Sequence, residues 1–320
     1  MGAHATQSHG SRLTVRRLLA SLAILGAVCG GFLTSSAVAV EPAKCNTSVD
    51  KVCYAGYNAA GLKQIADDLS EKGKGSTYYA AMEKNLTDGI KGMLTLSDGS
   101  NLPFRLIGIL HDDKADGSGR KAGLTFMAWN ALPKAYAMNK SLTNKGGWRD
   151  SLLRNQMNNG EIWDQFPTDF QNNVTPVLKQ TNNMPYPTYI VGPSASATAD
   201  KVWLVSYREL ASTLYDGWKG FDGFQALSQE GSQYEYFQGK VENNYAGNGI
   251  LSDIDKTVSG STPVGANGRD WWNSGWWERS PDTNVSYTLD YYFLRVESFG
   301  DPCDGSRADY RSSVVPAFSF

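Results

Sequence analysis

The sequence predicts an α+β fold with short strands, a few short helices and much irregular chain, on three observations. Apolar residues between Leu62 and Leu69 repeat at the spacing of one buried helix face. Short apolar runs typical of strands follow from Met93 onward. Between these runs lie long stretches rich in Gly, Ser, Asn and Tyr, notably residues 207–257. Loops of this length in a compact domain usually carry function or have their own packing.

The first 39 residues have the three regions of a secretory signal peptide in the usual order. Residues 1–17 carry three arginines and no acid, residues 18–33 are apolar, and Ala37-Val38-Ala39 has the small-x-small pattern of a cleavage site. An N-terminal membrane anchor is the alternative, but the apolar run is shorter than the ~20 residues that a spanning helix needs. We expect a mature protein that begins near Val40 and is secreted or associated with the cell surface.

The charge of the mature chain argues against nucleic acid as a partner. Cleavage after residue 39 removes three arginines and no acid, so the formal net charge changes from −2 to −5. No cluster of basic residues provides the electrostatic footprint that nucleic-acid binding requires. No second apolar run is long enough to span a membrane, so we expect no transmembrane segment after cleavage.

Residues 40–58 are predicted to form a linker held by a disulfide. Export brings the chain into an oxidising compartment, where disulfides persist. Three cysteines remain after cleavage, and pairing Cys45 with Cys53 closes a short loop in a polar segment. A Cys53–Cys303 bridge that ties the ends of the chain together is the alternative.

Two helices are predicted next, as a hairpin over residues 59–92 that packs on the main domain of residues 93–320. Gly73-Lys74-Gly75 separates them, and the second helix places Tyr79, Met82, Leu86 and Ile90 on one face. In the main domain we expect helices at residues 148–158 and 168–172. Strands are expected at residues 93–96, 102–110, 174–181, 202–206, 289–296 and 314–318.

No cofactor is predicted, with a loose calcium site near Asp112, Asp113 and Asp116 as the alternative. The EF-hand pattern fails, because Lys114 and Gly123 stand where acceptor oxygens are required. A nucleophilic site with a histidine base would have to use His111, the one histidine left after cleavage, and no GxSxG motif accompanies it. No spacing singles out a catalytic pair of carboxylates, so an enzyme is the less favoured interpretation.

Four tryptophans occur within seven positions, and they are interpreted in two ways. Trp271 and Trp272 are candidates for an aromatic platform that binds a ligand, since indole rings bury a large area and keep a polar N–H. Trp276 and Trp277 are assigned to the core. Arg279, directly after them, is predicted to be buried, bonded to loop carbonyls or an acid, and structural.

Several motifs recur in an order that resembles a known family. They are FRLIGI with HDD (residues 104–113), GGW (146–148), DKVWLVSYRE (200–209), EGSQYEYF (230–237), WWERSP (276–281), FLRV (293–296) and VVPAF (314–318). This set resembles a family of uncharacterised domains in secreted and surface proteins of Gram-positive bacteria, over about residues 93–320. Within these motifs, Tyr234 and Tyr236 join the candidate ligand-binding residues, and Trp203 joins the structural ones.

The closing motifs are in turn similar to the C-type-lectin-like fold. That resemblance implies that the strand at residues 102–110 lies beside the one at residues 314–318, with the long loops on one side. The residue sets for calcium-dependent sugar binding and for formylglycine-generating chemistry are not matched. We expect a non-catalytic secreted or cell-surface binding module for a glycan, a cell-wall component or a host protein. The alternatives are a carboxylate-dependent hydrolase or modifying enzyme and a purely structural surface protein.

Overall fold

Seven short strands form an antiparallel sheet that organises the main body of the protein. The computed structural model describes residues 40–183, 195–214, 226–242, 249–254, 275–282, 291–302 and 304–320. Within these residues the strands are β1 (Val52–Tyr54), β2 (Tyr57–Asn58), β3 (Lys91–Thr95), β4 (Asn101–Ile109), β5 (Leu124–Ala128), β6 (Tyr136–Ala137), β7 (Val177–Asn182), β8 (Ala195–Asp200), β9 (Val202–Trp203), β10 (Trp276–Pro281), β11 (Tyr292–Val296), β12 (Asp304–Arg307), β13 (Arg311–Ser312) and β14 (Ala317–Ser319). The seven-stranded sheet has the order β2-β1-β3-β4-β5-β14-β9.

Smaller sheets flank it in the described residues. β10, β11 and β12 form one antiparallel sheet, β7 pairs with β8, and β13 pairs with β6. These findings confirm the α+β class with short antiparallel strands.

The helices of the described chain are short. They are α1 (Ala59–Lys72), α2 (Tyr79–Asp88), α3 (Leu152–Asn159), α4 (Thr168–Asn173), α5 (Tyr207–Leu210) and α6 (Gly249–Ser252), with 3-10 turns at Gly73–Gly75, Trp163–Gln165, Ala226–Gln229 and Glu235–Phe237. None of the helices in this part of the chain is long and apolar enough to cross a membrane.

The helical hairpin follows from local sequence signals. The side chain of Asn58 caps α1 by accepting from the backbone N–H of Gly61 at 3.0 Å. Helix α1 ends at Gly73, whose φ of 58° a residue with a side chain rarely adopts. The helix buries its predicted stripe, including Leu62 and Leu69. Ile90, however, lies beyond the end of α2 and is 36% exposed.

Strands β1 and β2 place part of residues 40–58 in the main sheet, which corrects the prediction of a linker. Val52 and Tyr54 on β1 are buried in the core. β1 pairs with β3, with Cys53 opposite Met93. Cys45 and Cys53 are paired as a disulfide with their Cα atoms 5.6 Å apart, as expected. Cys303 lies outside the described residues, as do residues 1–39 with the predicted signal peptide.

The core at the centre of the sheet is aromatic. The rings of Phe104, Phe126 and Phe318 contact one another with centroids 5.3–5.8 Å apart. Phe170 of α4 adds an edge-on contact with Phe318 at 4.9 Å. The prediction that residues 102–110 and 314–318 form neighbouring strands is wrong, because β5 lies between β4 and β14 and pairs with both.

Residues Glu41–Phe320 form one compact unit. The hairpin and the later sheets therefore belong to one body, in which α2 packs on β4 and α1 on α4.

Candidate functional site

A buried chain of alternating charges crosses the interior of this body. Asp112 follows β4, Lys179 is on β7, Glu209 is on α5 and Arg279 is on β10, and each is at most 5% exposed. The ammonium of Lys179 pairs with Asp112 at 2.6 Å and also with Glu209. Glu209 in turn pairs with Arg279. We call these four residues the buried ion network.

The network favours the ionised form of its two carboxyl groups although they are buried. Burial alone would raise the pKa of the Asp112 and Glu209 carboxyl groups. The charges and hydrogen bonds of Lys179 and Arg279 outweigh burial, and both pKa values lie below their ordinary values. Two acids and two bases therefore neutralise one another, so the network stabilises packing and presents no charge to a ligand.

Arg279 is 0% exposed and its guanidinium is surrounded by acceptors, as its predicted structural role requires. It donates to the carbonyl oxygens of Gln180, Leu204 and Glu230 at 2.9–3.1 Å, and to the hydroxyl of Thr181 at 3.0 Å. These bonds connect β10 with β7 and with the chain before and after α5. Arg279 thus connects three segments of the chain through side-chain hydrogen bonds.

Two further carboxyl groups are buried beside the network without a cation of their own. Glu230 accepts from the backbone N–H of Asn182 at 2.8 Å and from the Ser280 hydroxyl, and burial raises its pKa to about 7. Glu278 makes no hydrogen bond through its side chain to any residue in the described part of the chain. Burial raises the pKa of Glu278 well above its ordinary value, which favours the neutral form of the acid.

The tryptophans assigned to the core are inside. Trp203, Trp276 and Trp277 are each 0% exposed. The indole N–H of Trp277 donates to the carbonyl of Tyr136 at 2.8 Å, and Lys179 lies over the ring of Trp203 at 4.9 Å. Trp271 and Trp272, the predicted ligand platform, lie outside the described residues.

Tyr234 and Tyr236 do not form the exposed binding face that we expected. They are 0% and 3% exposed. The Tyr234 hydroxyl bonds Asp112 and Lys179 of the buried ion network, and the Tyr236 hydroxyl accepts from Arg105. Buried phenols need such partners, so the structure gives both rings a packing role.

The acids considered for calcium are engaged by lysines. Asp112 bonds Lys179, Asp113 bonds Lys121 at 2.8 Å, and Asp116 lies 3.6 Å from Lys114. Among the described residues, no group of three or more His, Cys, Asp or Glu side chains is placed to hold a metal ion.

One cavity of about 280 Å³ lies between α1 and the segment before β7. It is lined by Lys63, Lys114, Asp116 and Thr175, among others. Both of its lysines are already paired, Lys63 with Asp67 and Lys114 with Asp67 and Asp116. The cavity therefore offers no uncompensated charge to a ligand.

A group of tyrosines at the β11–β12 hairpin is partly open to solvent. The rings of Tyr291 and Tyr292 lie 4.8 Å apart. Tyr292 stands opposite Arg307 in the β11–β12 register, and the Arg307 guanidinium lies 4.5 Å from the ring centroid of Tyr310. All three tyrosines are half-buried. We call them the tyrosine cluster.

Sequence reasoning missed this cluster. Tyr291 and Tyr292 are adjacent in the sequence. Tyr310 is brought to the same hairpin by the turn after β12, and the position of that turn depends on the pairing of β11 with β12. Four tryptophans within seven positions are a stronger local signal, and the sequence therefore predicts the binding platform at Trp271 and Trp272.

Comparison with known proteins identifies one family. The model of the family described as Domain of unknown function (DUF6273) matches residues 122–319, which run from the start of β5 to the end of β14. No curated protein and no solved structure matches the chain.

Proposed function

We propose that this chain, which belongs to the family described as Domain of unknown function (DUF6273), is an exported binding module that recognises a glycan. The observation that carries the proposal is the tyrosine cluster. Its rings are partly exposed; those of Tyr291 and Tyr292 contact each other, and that of Tyr310 contacts Arg307. Aromatic rings of this kind offer flat apolar faces together with polar hydroxyl groups, which suits the C–H faces and hydroxyls of sugars.

The charge around the cluster favours an uncharged ligand. Arg307 bonds Asp309 through two hydrogen bonds of 2.9 and 3.0 Å, so each neutralises the other. Burial raises the pKa of Tyr292, which therefore stays a neutral phenol able to donate a hydrogen bond. A neutral sugar meets these requirements, whereas an anionic or cationic ligand would compete with the existing ion pair.

The strand that carries part of the cluster is joined to the buried ion network. β11 carries Tyr292 and pairs with β10, and β10 carries Arg279 of the buried ion network. A surface held in place before the ligand arrives loses less conformational entropy on binding. This supports recognition by a preformed face.

A carboxylate-dependent hydrolase, the alternative from the sequence, finds less support. Glu230 and Glu278 have raised pKa values, as a general acid would need. Both are 0% exposed, so a substrate cannot reach them without opening the core.

The C-type-lectin-like architecture, the Gram-positive source and the surface location are part of this proposal. The short antiparallel strands of the described chain support the architecture, although β14 pairs with β5 and not with β4. Export is supported by the charged, apolar and small-residue regions of residues 1–39. N-terminal sequencing of protein from the culture medium should give Val40 as the first residue, and a start at Met1 would contradict export.

Co-sedimentation with insoluble polysaccharides tests the binding proposal. The full chain should pellet with chitin or cellulose, whose sugars are uncharged, and be released by the matching soluble oligosaccharide. Replacing Tyr310 by Ala should reduce the bound fraction at least several-fold, because the ring supplies contact area. The matched control is Tyr79→Ala, a half-buried tyrosine on α2. Equal binding by wild type and Y310A would contradict the assignment of this surface.

A further inference from the structure

The backbone is distorted at the point where it presents His111. The pairing of β4 with β5 shifts register between Leu106 and Gly108, which marks a β-bulge. Leu110, directly before His111, has a φ of 56°, in the left-handed region that non-glycine residues avoid. Bulges re-aim side chains, and strained residues of this kind concentrate at functional sites.

The imidazole of His111 lies between a carboxylate and a hydroxyl. Its Nδ1 is 3.0 Å from Oε1 of Glu235, and its Nε2 is 3.3 Å from Oγ of Ser232. Nε2 is also 3.2 Å from the carbonyl oxygen of Ser232. The ring of Tyr234 packs on the imidazole at 4.2 Å. The His111 side chain is 9% exposed, whereas Ser232 is exposed at the surface.

Gly108 makes room for this arrangement. A Cβ atom at position 108 would lie 2.9 Å from Oε2 of Glu235 and 3.0 Å from a ring carbon of Tyr234. Real Cβ atoms avoid such short contacts with packed groups. The glycine at the bulge therefore permits the Glu235 carboxylate to approach His111.

We propose that Ser232 is a nucleophile toward carboxylic esters, with His111 as its general base and Glu235 as the residue that positions the imidazole. The order hydroxyl, imidazole and carboxylate is the arrangement that activates a serine. This inference goes beyond the binding function. It is also independent of that function, because none of the three residues belongs to the tyrosine cluster.

The chemistry balances without a cofactor. Oγ of Ser232 attacks the ester carbonyl carbon and passes its proton to Nε2 of His111, while the carbonyl π electrons move to oxygen. When the carbonyl re-forms, the bond to the leaving oxygen breaks, and Nε2 returns the proton to give the free alcohol. Water then attacks the acyl-serine in the same way, releasing the acid and restoring the Ser232 hydroxyl. The net reaction converts an ester and water to an acid and an alcohol, with no change of oxidation state.

The protonation state of His111 decides whether the step can occur. Burial lowers its pKa, but the hydrogen bond to Glu235 and the charges of Asp112 and Glu235 raise it above the ordinary value, against the opposing charge of Lys179. A protonated ring donates through both nitrogens, to Glu235 and to the Ser232 carbonyl, and cannot accept the serine proton. The reaction should therefore accelerate as the pH rises through the pKa of His111.

Labelling of the full chain with an alkyl fluorophosphonate tests the proposal. This probe forms a bond between phosphorus and an activated serine Oγ, and releases fluoride together with the serine proton. Peptide mass spectrometry should place the adduct on Ser232, with a labelling rate that rises between pH 5.5 and 9. His111→Gln should slow labelling about 100-fold or more, the low end of a general-base contribution. Glu235→Gln should slow it less and move the midpoint of the pH profile downward, because Glu235 raises the histidine pKa.

Ser118, an exposed serine in the loop after His111, is the internal control for non-specific reaction. Labelling of Ser232 no faster than of Ser118, a flat pH profile, or an H111Q rate equal to wild type would overturn the proposal. The wild-type pH profile decides the question by itself if circular dichroism shows that H111Q is unfolded. Polysaccharide co-sedimentation of Ser232→Ala should match wild type, which separates this proposal from the binding function.

Discussion

The guanidinium of Arg279 donates hydrogen bonds to both carboxylate oxygens of Glu209, 70 residues earlier in the chain. Glu209 is also the N3 residue of the capping box that begins at Ser206, and it accepts from the backbone N–H of Ser206 at 3.1 Å. The same carboxylate pairs with Lys179 of β7. One acid thus fixes the start of a helix and joins it to strands from two different sheets.

Arg279→Ala should destabilise the protein by about 3 kcal/mol. The substitution leaves Glu209 short of a cation inside the protein, which is the costly way to break a buried pair. Thermal unfolding should show a melting temperature lower by on the order of 5 °C or more. Arg149→Ala is the matched control, because Arg149 pairs with Asp150 at the surface, where such pairs contribute ~1 kcal/mol or less. An R279A protein as stable as R149A would contradict the structural role.

The stability of the folded state should fall as the pH rises from about 4.5 to about 7. The folded protein raises the pKa of Glu230 to about 7, so in this window the native state holds a proton that the unfolded state has released. Each unit of pH increase then lowers the free energy of unfolding by up to ~1.4 kcal/mol because of Glu230. The pKa values of Glu278 and His111 are also raised, so these residues too make the folded state less stable as the pH rises.

Glu230→Gln isolates the contribution of this residue, because glutamine has the hydrogen-bonding groups of the protonated acid. Urea unfolding at pH 5, 6, 7 and 8 should show a shallower decline for E230Q than for wild type. Glu161→Gln, an exposed control, should keep the wild-type slope. Identical pH slopes for E230Q and wild type would show that Glu230 is not protonated in the native state.

Tyr234→Phe should cost about 1–3 kcal/mol of stability, which distinguishes a packing residue from a ligand-binding one. The hydroxyl bonds Asp112 at 3.1 Å and Lys179 at 2.9 Å inside the protein, and its removal leaves both charges with one partner fewer. Tyr310→Phe, at the partly exposed cluster, should stay within about 0.5 kcal/mol of wild type. Chemical unfolding measures the free energy of unfolding of both variants. A Y234F protein as stable as wild type would contradict the packing role of Tyr234.

Removal of the Cys45–Cys53 bridge should lower the melting temperature of the main body by a few degrees. Closing a short loop is worth ~2–3 kcal/mol in the chain-entropy model, and Cys53 sits in β1 of the main sheet. The double variant C45S/C53S should melt earlier than wild type in one transition, whereas C303S should not. A non-reducing peptide map with Cys303 joined to Cys53 would refute the pairing.

Local sequence patterns predict several elements of the fold. The spacing of Leu62, Ile65, Ala66 and Leu69 indicated α1 because that helix packs by one face, and those four residues are buried. Asp98-Gly99, between the strands expected at residues 93–96 and 102–110, is a turn signal for the β3–β4 hairpin, which pairs in register from Lys91 and Arg105 to Thr95 and Asn101. In both cases neighbouring residues contain the whole signal.

Strand order and the candidate surface depended on contacts that no local pattern contains. Every residue of β5 is buried, so the strand shows no alternation, and it lies where β4 and β14 were expected to meet. Tyr234 was interpreted as a binding residue because exposure cannot be read from an aromatic residue in a polar loop. Its burial follows from Asp112 and Lys179, which lie 122 and 55 residues away.

Glycan-array binding by the full chain, compared among wild type, Y292A/Y310A and Y79A, tests the central claim most directly. Wild type and Y79A should bind the same neutral glycans, whereas Y292A/Y310A should lose at least about 10-fold in affinity, or ~1.4 kcal/mol, with its fold intact by circular dichroism. The loss should be independent of salt between 50 and 300 mM, since no net charge takes part. An array on which wild type binds no glycan, or on which Y292A/Y310A binds as wild type does, would contradict the account.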